Sequence, residues 1–169
     1  MRVHVIMAVS IDGFISRGEA DDLAWSGEAD KAWFTKKTKE VGVAIMGNST
    51  FKKLAGPLKE RLNIVYTSSP KECSDPMLRF TNQAPAELIQ SLANEGYKDV
   101  CLIGGSQINS LFLRAGLITD LWISHIPVTL NGAVRLFAEP TIEARFELAD
   151  ETKLDAHTTL AHYTLKGDL

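Results

Sequence analysis

Four short runs of apolar and β-branched residues, 3–9, 41–46, 63–67 and 100–103, each stop at a glycine or a small polar residue. Helical spacing fills the gaps between the first three. A short apolar run bounded by turn formers is what a strand buried on both faces looks like. Such strands need covering on both sides, so the alternation restricts the chain to a mixed, mainly parallel sheet between two helical layers. Residues 28–39 place Ala29, Trp33 and Phe34 on one side of a helix, with Lys36, Lys37 and Lys39 mostly opposite; 48–54 form a shorter helical turn. A third helix is expected at 86–93, after Pro85. Ile108, Leu111, Phe112 and Ala115 keep the i, i+3, i+4, i+7 spacing of a fourth. Strands are predicted at 120–127 and 157–165, the second alternating Thr159, Ala161, Tyr163 and Leu165 against Leu160, His162 and Thr164.

The chain has 169 residues, 45% of them hydrophobic and 23% charged, enough for one core, and shows no linker or repeat, so residues 1–169 read as one domain. Net charge is −3, and no Lys/Arg run exceeds Lys36-Lys37, which leaves no basic footprint for nucleic acid. The longest apolar stretches fall well short of the ~20 residues of a membrane span. Asp12-Gly13 interrupts the first apolar run and no cleavage site follows, so that run reads as a strand rather than a leader. Cys73 and Cys101 are too few for a disulfide framework or a CxxC site. A cytoplasmic protein without membrane or nucleic-acid partners is expected, with monomer or homodimer left open.

Two places share one design: a buried strand, a glycine, then the first turn of a helix. They are Ala44-Ile45-Met46-Gly47-Asn48-Ser49-Thr50 and Leu102-Ile103-Gly104-Gly105-Ser106-Gln107. Each offers backbone N–H groups at the positive end of a helix dipole, where phosphate oxygens bind. Two such sites on one sheet suit a dinucleotide pyrophosphate, although similar junctions also occur merely to turn the chain. Asn48-Ser49-Thr50 spells a glycosylation sequon, but capping the following helix is the simpler role. Asp30 falls on the helix side of Trp33 and Phe34, and an acid held among aromatics has a raised pKa. Periodicity alone also allows it to be an ordinary acidic residue at a helix start. His4, His125, His157 and His162 show no metal-binding spacing, so no metal is expected.

Taken in order, these segments resemble dihydrofolate reductase. The resemblance rests on Ala8 through Ile15, Trp25 five residues before Asp30, and Asp30-Lys31-Ala32-Trp33-Phe34. It continues through Ile45-Met46-Gly47-Asn48-Ser49-Thr50-Phe51, Pro57-Leu58-Lys59-Glu60-Arg61-Leu62-Asn63-Ile64-Val65, Ile103-Gly104-Gly105 and Leu121-Trp122-Ile123-Ser124-His125-Ile126, covering about residues 4–137. It implies a single-domain dihydrofolate-reductase-like α/β fold with about eight strands and an antiparallel C-terminal strand. It also implies reduction of 7,8-dihydrofolate by NADPH in tetrahydrofolate biosynthesis. Asp30 would assist protonation of the pterin, Ser124 would partner it, and Trp25 would hold an ordered water in the loop over the site. Ile6, Ala8, Lys31, Phe34, Leu54, Leu58 and Ile103 would line the substrate, and Arg61 would grip its α-carboxylate. The cofactor would lie along Ala8, Ile15, Gly47, Asn48, Ser49, Thr50, Thr67, Ser68, Ser69, Gly104, Gly105, Ser106, Gln107 and Ile108.

The chain departs from the family pattern at informative places. Asn48 and Gln107 stand where basic residues usually meet the 2′-phosphate of NADPH, which leaves NADH open; Thr67, Ser68, Ser69 and Lys71 could serve instead. Lys31 replaces an apolar residue, Asn109 an aromatic one, and loop 16–24 carries Glu19, Asp21 and Asp22. Two alternatives remain. One is the riboflavin-pathway pyrimidine reductase of the same fold, suggested by Ser10-Ile11-Asp12-Gly13-Phe14-Ile15. The other is a noncatalytic nucleotide-binding or scaffold protein.

Overall fold

Each of the four apolar runs becomes a strand of one sheet. The computed structural model describes residues 1–140 and 142–167. Along the chain lie β1 (Arg2–Ser10), β2 (Phe14–Ser16), a 3-10 turn (Ala24–Ser26), α1 (Gly27–Val41), β3 (Val43–Gly47), α2 (Asn48–Lys53), β4 (Leu62–Tyr66) and β5 (Leu78–Thr81). Then follow α3 (Pro85–Asn94), β6 (Asp99–Leu102), α4 (Ser106–Arg114), β7 (Asp120–Ile126), β8 (Val134–Arg135), β9 (Phe146–Lys153) and β10 (Thr159–Leu165). Eight strands form a sheet in the order β5-β4-β3-β6-β1-β7-β10-β9, and β2 pairs with β8 apart from it. Neighbours from β5 to β7 run parallel; β10 is antiparallel to both β7 and β9. No helix among the described residues is long and apolar enough to cross a membrane.

The strand period of two sorts the core into two layers. Val3, Val5, Val43, Ile45, Ile64 and Leu102 face Leu88 and Leu92 of α3 and Ile108 and Phe112 of α4. Ile6, Ala44, Met46, Val65 and Cys101 face the other way, against Trp33 and Phe34 of α1 and Phe51 of α2. Helices on both faces therefore follow directly from strands that are apolar on both faces.

Three boundaries differ from the sequence reading. Val41 closes α1 instead of opening β3, because Gly42 adopts φ 83° and ends the helix, its N–H donating to Thr38 O at 3.1 Å. No side chain caps α2: its N-cap is Gly47, so the capping role expected for Asn48-Ser49-Thr50 is not fulfilled. The terminal antiparallel element is a strand pair, since β9, exposed beyond Phe146, adds an outer edge to β10. At the end of the sheet away from the glycine turns, Asp120 is buried among Arg2, Thr119 and His162. Burial alone would lift its carboxyl, but hydrogen bonds from Thr119, Arg2 and His162 hold it below the usual range.

Phe112 is fully buried and Leu148 is 55% exposed. In urea unfolding, Phe112→Ala should lower stability by about 3–5 kcal/mol. Leu148→Ala should stay within about 0.5 kcal/mol of the parent.

Candidate functional site

The parallel strands aim their C-terminal ends at one edge of the sheet, and both glycine junctions lie there. Gly47 N donates to Gly104 O at 2.9 Å, tying the end of β3 to the turn after β6. Neither position admits a side chain easily. A Cβ on Gly47 would come within 3.2 Å of Ile108 Cγ1, and one on Gly104, which has φ +95°, within 3.3 Å of Met7 Cε. Like α2, α4 has a glycine N-cap and no side-chain cap, so both helix starts open into the space between the two turns.

That space is a cleft of about 470 Å³. It brings together Ile15, Gly47, Asn48, Ser49, Thr50, Ile103, Gly104, Gly105, Ser106, Gln107 and Ile108, as the sequence led us to expect. Met7, Glu19, Leu23, Lys53, Tyr66 and Val134 also line it and were not anticipated. Met7 could have been found from strand alternation, since it and Ala8 point to opposite faces. Ala8 is accordingly outside this cleft, in register with Ser124 on the α1 side. Beyond Tyr66 a second cavity of about 470 Å³ contains Thr67 and Ser68 but not Ser69, which is exposed. Tyr66 lines both cavities; its buried hydroxyl has no protein partner, and burial pushes the phenol up to about 12.

Loop 16–24 closes over the cleft through contacts the sequence did not disclose. Lys53 Nζ donates to Gly18 O at 2.6 Å and to Ser16 Oγ at 3.3 Å. Asp21 is buried and accepts the Arg17 and Leu23 N–H groups at 2.7 and 3.0 Å. Burial acts against the Asp21 charge, yet these bonds keep its carboxyl low. Leu23 is held at φ 59°, a strained conformation for a branched residue, where the loop meets the cleft.

On the α1 side, Asp30 is only 8% exposed. It lies in the first turn of α1, where the helix dipole favours an acid, but past the N-cap Ser26, so capping does not account for it and the dipole does not require its burial. Burial raises its pKa, while the Ser124 and Ser26 hydroxyls and the Lys31 ammonium pull it partly back. Ser124 Oγ is buried near the carboxylate but short of a hydrogen bond of normal geometry; Trp25 Nε1 is likewise buried without a protein partner. Ile6, Ile103, Phe34, Leu54 and Leu58 pack into one apolar cluster, so these expected substrate-wall residues do come together.

Two expected substrate contacts are placed elsewhere. The exposed Lys31 side chain pairs with Glu28 at 3.7 Å on the helix surface instead of turning inward. Arg61 is 4% exposed: its Nε donates to Lys59 O at 2.8 Å, and its Nη1 to Thr38 Oγ1. Thr38, the deepest residue of α1, makes that interaction possible, and the guanidinium is drawn inward to brace α1 against the approach to β4. In this arrangement Arg61 does not present a free fork to a carboxylate.

The fold and the two-turn cleft define a dihydrofolate-reductase-like α/β protein, and comparison with known proteins agrees. The family profile for dihydrofolate reductase matches residues 2–166, and the chain belongs to that family. It is 27% identical to the uncharacterised Bacillus subtilis (strain 168) protein YwjB, over 93% of this chain and 94% of that protein. It is 23% identical to the uncharacterised YyaP of the same organism, over 82% and 81% respectively. A crystal structure of a protein from Shewanella sp. PV-4, provisionally assigned to riboflavin biosynthesis, superposes with a TM-score of 0.81. That pair shares 22% identity over 98% of this chain and 99% of the other, a likeness of fold.

The Asp30 surroundings give a signed stability prediction. A carboxyl whose folded pKa lies above its unfolded value opposes folding increasingly as pH rises through that interval. Asp30→Asn should therefore melt at a higher temperature than the parent at pH 7, with the gap closing as pH drops below the unfolded value near 3.8. A lower melting temperature for the variant at pH 7 would show that the charged form is stabilised instead.

Proposed function

We propose that this protein reduces 7,8-dihydrofolate to tetrahydrofolate with a hydride from a reduced nicotinamide dinucleotide. The observation that carries the reading is Asp30, a buried carboxyl of raised pKa under α1, beside the apolar cluster of Ile6, Phe34, Leu54 and Leu58. The cleft residues fit a dinucleotide: Gly47 and Gly104 stand where a Cβ would press on Ile108 and Met7 of the cleft wall, and two helix starts without side-chain caps face the space between the turns. Bound there, the reduced dinucleotide supplies a hydride to the substrate. NADPH is the family's usual donor, and NADH carries the same nicotinamide.

The chain's own residues account for the remainder of the chemistry. The apolar cluster excludes water and gives a flat heterocycle a dry wall. Asp30 hydrogen-bonds the pterin and supports delivery of a proton to the ring nitrogen beside the carbon that accepts hydride. A raised pKa keeps more of the acid protonated at any given pH than an ordinary aspartate. Trp25 Nε1 and Ser124 Oγ are buried polar atoms on hand to orient the substrate or an intervening water. Lys53 and Asp21 hold loop 16–24 in the closed arrangement.

A second reading is favoured by Arg61. If the guanidinium stays with Thr38 and Lys59 O, a substrate without a glutamyl tail fits as well, and a riboflavin-pathway pyrimidine of similar ring chemistry becomes the rival. A noncatalytic nucleotide-binding role has no such observation behind it.

Purified protein should oxidise NADPH or NADH only when dihydrofolate is added, and Asp30→Asn should slow the reaction on the order of 10²-fold near neutral pH. Dinucleotide consumption with a tail-less pterin or a riboflavin-pathway pyrimidine, but not with dihydrofolate, would move the assignment to the second reading. Arg61→Leu separates clamp from brace. A clamp raises KM for dihydrofolate far more than for a tail-less pterin, whereas a brace lowers stability and leaves the ratio of the two KM values unchanged.

A further inference from the structure

We infer that the ribose end of the dinucleotide site selects NADH over NADPH, because the cavity beyond Tyr66 is lined by neutral donors and acceptors and, among the described residues, by no cation. The inference rests on the proposed dinucleotide site and concerns which form of that cofactor it takes.

Tyr66 lines both the glycine-flanked cleft and the second cavity, so one extended ligand can run from the first into the second. The second cavity has an apolar wall in Pro85 and Leu111, suited to a purine. Its polar groups are the hydroxyls of Thr67 and Ser68 and the amides of Asn82 and Gln83. A ribose hydroxyl needs one acceptor and one donor, which such groups supply. The Tyr66 hydroxyl, buried without a partner in the protein, is a further neutral donor at the junction.

A 2′-phosphate makes a different demand. It carries a charge of about −1.5 to −2 near neutral pH, and out of bulk water that charge needs cationic partners. Of the nearby cations, Arg79 and Lys53 are bonded elsewhere, and the exposed Lys71 does not line the cavity. Lys71 Nζ stands 5.3 Å over the Phe80 ring, and Phe80 packs in the layer against α1 and α2, whereas Leu111 belongs to the opposite layer. Arg79 is bound to both carboxylate oxygens of Glu95, at 2.9 and 2.8 Å. Lys53, the one cation lining the cleft among the described residues, is bonded to Gly18 O and Ser16 Oγ under the loop. Asn48 and Gln107, one and two residues past the glycine turns, are neutral, and the cleft also contains Glu19, whose charge repels an added phosphate.

The test is direct binding, read by titration calorimetry on the full chain without substrate. NADH should bind at least about tenfold more tightly than NADPH. The adenosine end can be probed alone: 5′-AMP should bind at least as tightly as 2′-phosphoadenosine 5′-phosphate. Asn48→Arg and Gln107→Arg, made separately, should each narrow the NADH/NADPH ratio by raising affinity for the phosphorylated form. Equal or tighter binding of NADPH by the unaltered protein would overturn the inference while leaving the dinucleotide site standing. Binding of neither dinucleotide would overturn both.

Discussion

The hydrogen bond from Gly47 N to Gly104 O fixes the distance between the two turns from which the cleft is built. It exists because β3 and β6 are parallel neighbours, ending at the same edge of the sheet. Ile108 and Met7 occupy the space that side chains at Gly47 and Gly104 would take. Everything proposed for the dinucleotide depends on this spacing. The starts of α2 and α4, the loop held by Lys53, and the second cavity past Tyr66 are all arranged around it.

A second constraint runs the other way, since it opposes stability. The two most buried residues of α1, Asp30 and Thr38, are polar, on the face where a helix covering a sheet would ordinarily place apolar groups. Thr38 is reconciled with burial by donating to Phe34 O at 2.7 Å and accepting from Arg61. Asp30 is not fully reconciled, and its raised pKa records the difference. A local conflict of this kind, in a chain whose strand period and helix placement agree, is the physical ground for the chemical role we propose for Asp30.

The fold was legible in the sequence wherever burial on both faces left a run of apolar residues, as in β1, β3, β4 and β6. It was illegible where pairing is short or at an edge. β2 and β8 span only three and two residues, and β9 is exposed along nearly its whole length, so neither period nor hydrophobicity marks them. The glycine turns of the site were legible because glycine has a local reason to be there. The lid was not: Lys53 reaches Gly18 across 35 residues, and nothing near either position announces it. Arg61 shows the limit of motif reading, because its position in the series says nothing of the inward bond to Thr38 that governs what its guanidinium can grasp.

The reductase assignment stands or falls on single-turnover hydride transfer, followed by stopped flow across pH with dihydrofolate and dinucleotide deuterated at the transferring position. A primary isotope effect is expected, with a rate that declines as pH rises through one ionisation above the ordinary aspartate value and that ionisation missing in Asp30→Asn. A rate without isotope sensitivity, or one whose pH profile is the same in the parent and the variant, would contradict the assignment.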